Sequence, residues 1–80
     1  GPRMDGYVLT TTDPISSICA YYDKQGKSQP GFTQMGDTRT PNSPVPYKAQ
    51  WGQSDGTQVT VTVFHSTNNE IHITFIGSNG

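Results

Sequence analysis

The sequence predicts an α+β domain: one helix packed as a second layer on a mostly antiparallel sheet of four or five strands. Three observations carry that expectation. Gln58–His65 and Ile71–Ile76 alternate apolar and polar residues with a period of two, so Val59, Val61 and Val63 share one face and Ile71, Ile73 and Phe75 share another. Between them Ser66-Thr67-Asn68-Asn69 is a run of turn formers, which makes the pair a β-hairpin. Near the N-terminus Ile15, Ile18, Cys19 and Tyr22 recur at i, i+3, i+4 and i+7, the spacing of one helical face.

The elements follow in order. Gly1–Met4 reads as the remnant of a cleaved affinity tag and is set aside, leaving residues 5–80 as one domain. Tyr7–Thr11 is rich in Val, Leu, Tyr and Thr and forms a first strand. Asp13-Pro14 starts the helix. The Asp13 carboxylate can accept from first-turn N–H groups, and Pro14 suits the first helical position because its missing N–H has no partner there anyway. Gly26 is the expected stop. A three-turn helix does not persist alone, so its stripe must dock on the sheet.

Gly31–Met35 is read as a second strand with Phe32 turned inward, and Asp37–Pro46 as a loop held extended by its prolines. Tyr47–Trp51 is the third strand, Gly52–Gly56 a turn, and the hairpin completes a meander. Burial sets its register: with Thr67–Asn69 at the tip, His65 faces Ile71, Val63 faces Ile73 and Val61 faces Phe75. A slip of one residue would split the apolar set between both faces. By the same logic Ala49 faces Val59 and Tyr47 faces Val61.

Composition narrows the function. Eighty residues make one domain with a small core. Five Lys and Arg against six Asp and Glu, scattered along the chain, leave no basic stripe for nucleic acid or an anionic membrane. No apolar run approaches a membrane span. Two histidines on opposite faces of the hairpin, His65 and His72, with a single cysteine do not make a metal site. Cys19 lies on the apolar stripe of the helix, where a thiol serves as a small hydrophobe rather than a nucleophile. The carboxylates are dispersed, with Asp13 assigned to a cap and Asp55 to a turn before Gly56, so no acid–base pair emerges. Gly26, Gly31 and Gly36 are not followed by the Lys-Ser or Lys-Thr of a phosphate loop. No catalytic residue, cofactor site or metal ligand is therefore assigned, and the chain reads as a non-enzyme.

The face opposite the core carries the functional expectation. Lys48, Gln50, Gln58, Thr60, Thr62, Phe64, His72, Thr74 and Ile76 share it, and Phe64, His72 and Ile76 are unusual in a fully solvated row. Phe64, His72, Thr60, Thr62, Thr74 and Ile76 are accordingly the candidate residues for a protein partner. An open sheet edge at Gly31–Met35 or Tyr7–Thr11 is the alternative docking mode. Two other roles compete. An aromatic platform exposed at Trp51 or Tyr47 would suit a carbohydrate or small ligand. The loop Asp37–Pro46, which contains a P-x-x-P spacing at Pro41–Pro44, would suit an inhibitor or immunity protein. Homo-oligomerisation is compatible with all three.

Thr10-Thr11-Thr12-Asp13-Pro14, Tyr21-Tyr22, Gly31-Phe32 and Thr60-Val61-Thr62-Val63 occur in an order that resembles small bacterial envelope proteins and lipoproteins of unassigned activity. The proline-rich loop departs from that pattern as an insertion. The resemblance implies a non-catalytic module of the cell envelope, periplasmic or secreted, and transfers no functional residues.

Overall fold

A computed structural model describes residues 3–77. The chain is an α+β two-layer sandwich with the element order β1 (Arg3–Thr11), α1 (Ile15–Ser28), β2 (Thr33–Arg39), β3 (Tyr47–Gly52), β4 (Gln58–His65) and β5 (Asn69–Gly77). The five strands form one sheet in the order β1-β5-β4-β3-β2, and every neighbouring pair is antiparallel. The chain leaves β1 at one edge, crosses the sheet as α1, enters β2 at the opposite edge and returns by a meander. Both segments expected at an edge are there, but β1 starts four residues before the expected Tyr7, and Arg3 and Met4, set aside above as a tag remnant, pair with Gly77 and Ile76 of β5.

The alternation fixes the faces as expected. Ala49, Trp51, Val61, Val63, Ile71 and Ile73 are buried with Tyr47 beneath α1, where Ile18 and Cys19 meet them. The register, however, is shifted by two residues in each hairpin from the one that burial alone suggests. Val63 faces Ile71, Val61 faces Ile73 and Val59 faces Phe75; His65 closes the hairpin against Asn69. Likewise Ala49 faces Val61 and Tyr47 faces Val63. A shift of two preserves which face each side chain takes, so the hydrophobic pattern cannot distinguish the alternatives. The turns decide it: Ser66–Asn68 closes one hairpin, and the other is closed by Gln53 N–H donating to the Thr57 carbonyl at 2.8 Å, with Gly56 at φ 92°.

The helix also differs at both ends. Pro14 is the N-cap residue, and its carbonyl accepts from Ser17 N–H and Ile18 N–H at 3.0 and 3.2 Å. The Asp13 carboxylate does not cap. Instead the Asp13 carbonyl accepts from the Asn69 side-chain amide at 2.8 Å. Gly26 does not stop the helix; it lies within it, where the absence of a Cβ lets the backbone settle against the Trp51 indole. The stop comes later, and Gly31, at φ 84°, turns the chain toward β2.

Strand β2 begins after Phe32 and runs to Arg39, past the expected boundary, with a bulge at Met35. The expected loop Asp37–Pro46 thus shrinks to Thr40–Pro46. It is closed rather than extended. Thr40 N–H donates to the Pro46 carbonyl at 3.0 Å, Ser43 N–H to the Thr40 carbonyl at 3.0 Å, and the Ser43 and Thr40 hydroxyls gather around the Val45 carbonyl at 2.8 and 2.9 Å. Pro41 and Asn42 therefore occupy the corners of a turn, and the P-x-x-P spacing is not an extended polyproline segment.

Candidate functional site

The six candidate residues do share one face. On the outer side of β4 and β5, Thr60 stands opposite Thr74, Thr62 opposite His72, and Gln58 opposite Ile76. Phe64 and His72 meet edge to face with ring centroids 4.6 Å apart, and His72 Nε2 lies 3.3 Å from a Glu70 carboxylate oxygen. Gln50 donates to Gln58 at 2.8 Å across the neighbouring pair. Most of this face is thus threonines and amides at partial exposure, with the two glutamines paired to one another. Its exposed apolar side chains lie off-centre: Phe64 at one end, and Met4 and Val8, which β1 adds opposite Ile76 and His72.

The other histidine has a structural post. Asn69 is buried, and its amide N–H donates to the Asp13 carbonyl, which leaves its oxygen as acceptor. His65 Nδ1, 2.6 Å from that oxygen, is therefore the protonated ring nitrogen. The His65 backbone N–H in turn donates to the Pro44 carbonyl at 2.8 Å. One buried amide so ties the hairpin tip to the β1–α1 corner. Among the described residues no three His, Cys, Asp or Glu side chains come together as metal ligands.

The other reactive side chains are engaged too. Cys19 is buried, and desolvation pushes its thiol above its ordinary value despite the opposing field of Arg39. Arg39 is paired with two carboxylates. Its Nη2 is 2.7 Å from both Asp23 oxygens, and its Nε is 3.0 Å from Asp37 Oδ1. Hydrogen bonds to Asp37 and then Asp23 raise its pKa further, and the guanidinium lies over the Tyr47 ring at 5.2 Å. It fastens α1 to β2 and is not free to take an anion.

The aromatic platform that the competing carbohydrate reading requires is absent, because Trp51 and Tyr47 both lie in the core, where their place on the inward face of β3 puts them. A different aromatic surface exists on the inner face. Five strands spaced about 4.8 Å apart span about 19 Å between their outer axes, whereas a helix is about 10 Å wide. Helix α1 packs chiefly on β3, so the inner face of β1 and the Phe75 end of β5 are left uncovered, while Ile71 and Ile73 of β5 stay buried. Phe75, expected in the core, is in consequence exposed, and it stacks on Tyr7 with centroids 6.1 Å apart. Between these rings and the Tyr21, Tyr22 and Gln25 side of α1 runs an open groove of about 410 Å³ with no charged side chain in its lining. The sequence carried a signal for it: the stripe of one short helix is too narrow for the number of strands predicted.

Strand β1 therefore stands out. It is nine residues long, has one strand neighbour, and exposes apolar side chains on both faces: Met4 at 73% and Val8 at 53% outside, Tyr7 at 50% and Leu9 at 45% inside. The other edge, β2, is guarded by its bulge, by Asp37 and by Arg39. Comparison with models of protein families, with curated proteins and with solved structures finds no match for this chain.

Proposed function

We propose that the chain is a non-enzymatic protein-interaction module that takes an extended segment of its partner along the free edge of β1, in the envelope or secreted setting that the resemblance implies. One observation carries this reading: β1 leaves apolar side chains half uncovered on both faces at an edge without lysine, proline or bulge, with Asp5 a charged side chain near its start, opposite Phe75. An added strand supplies the missing backbone hydrogen bonds, and its alternate side chains extend both faces at once. The inner ones reach the groove beside Tyr7 and Phe75. The burial of Cys19 and the pairing of Arg39 weigh against a nucleophile or an anion-binding centre.

The outer face around Phe64 and His72 is the second surface, favoured by their ring contact and by the exposure of Phe64. One experiment separates the two. Peptides selected from a displayed random library are mapped on the folded domain by amide hydrogen exchange. Strand addition slows exchange along Arg3–Thr11, and Leu9→Lys weakens binding at least tenfold while Phe64→Ala changes it less than twofold. Peptides that leave β1 exchange unchanged and are lost with Phe64→Ala or His72→Ala would transfer the site to the outer face.

A further inference from the structure

We propose that the inner groove is a binding site for a neutral small molecule built on an aromatic ring with uncharged hydrogen-bonding substituents. The inference goes beyond strand addition and does not depend on it: an added strand pairs along the free edge of β1, whereas the groove lies between β1 and α1. Its volume of about 410 Å³ falls within the range of small-ligand sites, about 300–1,000 Å³. Its two sides are rings. Tyr7 and Phe75, stacked on each other, stand on the sheet side, and the edge-to-face pair Tyr21 and Tyr22 on the helix side. Leu9 and Val59 add to the apolar part of the lining.

The lining sets the class of ligand. It holds no charged side chain, and Asp5, the charged residue paired with Phe75, is outside it. A charged ligand would therefore lose water there and gain no counter-ion. Polar groups are nonetheless present, all of them neutral: the hydroxyls of Tyr7, Tyr21 and Tyr22 and the carboxamides of Gln25 and Gln29. None of the five has a hydrogen-bond partner among the described residues. Burial pushes the Tyr22 phenol up, and the fields of Tyr21 and then Tyr7 add to it, so a hydroxyl from the sheet side lies near the two from the helix side. An aliphatic chain would strip these groups of water and return nothing, and a sugar would set its own hydroxyls against Leu9, Val59 and Phe75. An aromatic ring bearing a hydroxyl or amide does neither. It stacks on the walls and exchanges hydrogen bonds with the five neutral groups.

Titration of the whole chain with naphthol tests this, read by backbone amide shifts and by the fluorescence of Trp51, the single tryptophan, which lines the groove. Saturable binding is expected, with shifts at Tyr7, Tyr22, Gly26 and Phe75. Naphthol should bind at least tenfold more tightly than naphthoate, naphthylmethylammonium, octanol or methyl glucoside. Tyr21→Ala removes one wall and weakens naphthol at least threefold. Tyr21 is 57% exposed, so the fold is retained, as circular dichroism would verify. Gln25→Glu, at an exposed helical position, puts a carboxylate into the lining. It is expected to weaken naphthol at least threefold and to strengthen naphthylmethylammonium by at least as much. No saturable binding up to the solubility of naphthol overturns the inference, as does binding that ignores the charge of the probe or is unmoved by both variants. Strand addition is judged separately, by protection of β1 with selected peptides. Peptides held there by a chain that takes no naphthol refute the groove site alone. Naphthol held by a chain that takes no peptide along β1 leaves the groove site standing and removes strand addition.

Discussion

At the scale of single residues, the positions that matter most for packing are two whose types suggest something else. Gly26 looks like a helix stop, and Asn69 looks like one more turn former. Gly26 instead lies against the Trp51 indole, where there is no room for a Cβ. Replacing a helical glycine with alanine ordinarily stabilises a helix by about 1 kcal/mol. Here the new methyl would fall on three atoms of the Trp51 indole, a rigid and buried ring. Overpacking of that kind costs about 1–3 kcal/mol, so the net effect of Gly26→Ala is expected to be a loss of stability. Chemical denaturation at neutral pH checks the sign, and a gain would mean that the ring moves aside freely. Asn69 shows the same limit on what residue type reveals. Its neighbours Asp13 and His65 are distant from one another in sequence, and only the closed sheet brings them to one amide.

At the scale of elements, the sequence was a good guide wherever burial acts on one side of an element. The period of two identified β3, β4 and β5, and the i, i+3, i+4, i+7 stripe identified α1, because each must turn one face to the core. It was a poor guide to β2. That strand reads Thr-Gln-Met-Gly-Asp-Thr-Arg and is exposed along almost its whole length, so no apolar periodicity marks it. What holds β2 to the helix is charge. Arg39 bridges Asp37 on its own strand and Asp23 on α1, with all three side chains partly exposed. Exposed pairs of this sort contribute about 0.2–1 kcal/mol each. Arg39→Ala is therefore expected to cost about 1 kcal/mol, part of it because Asp23 and Asp37 are left facing one another. Arg39→Lys should recover only part, since an ammonium cannot serve two carboxylates with a planar fork. The difference between wild type and Arg39→Ala should shrink in 1 M salt, where screening acts over about 3 Å. An unchanged difference would assign the effect to packing over the Tyr47 ring.

At the scale of the whole molecule, the candidate site and the small core have one origin. The predicted strands outnumber what a single short helix can cover, so the helix is committed to one half of the sheet and the β1 half is left for something else. The covered half owes its dryness to few side chains, and three of them ionise. Burial raises the pKa of Tyr47, Tyr22 and Cys19 above their ordinary values of 10.0, 10.0 and 9.0. Nearby Asp23 and Asp37 add to the effect on Tyr47, and Arg39 opposes it. The sign follows directly. Below pH 9 all three are neutral in both the folded and the unfolded chain, and their contribution is intact. As pH rises through 9 and 10 the unfolded chain releases its protons while the folded chain holds them, so stability falls. Each tenfold difference in acidity between the two states corresponds to about 1.4 kcal/mol. The melting temperature should thus be level from pH 7 to 9 and drop steeply above 10. Tyr47→Phe keeps the ring and removes a buried hydroxyl that has no hydrogen-bond partner among the described residues. It is expected to be near neutral at pH 7 and to remove the largest share of the alkaline fall. A variant that lost stability at pH 7 yet fell as steeply above pH 10 would show that Tyr47 is not the group whose proton the core retains.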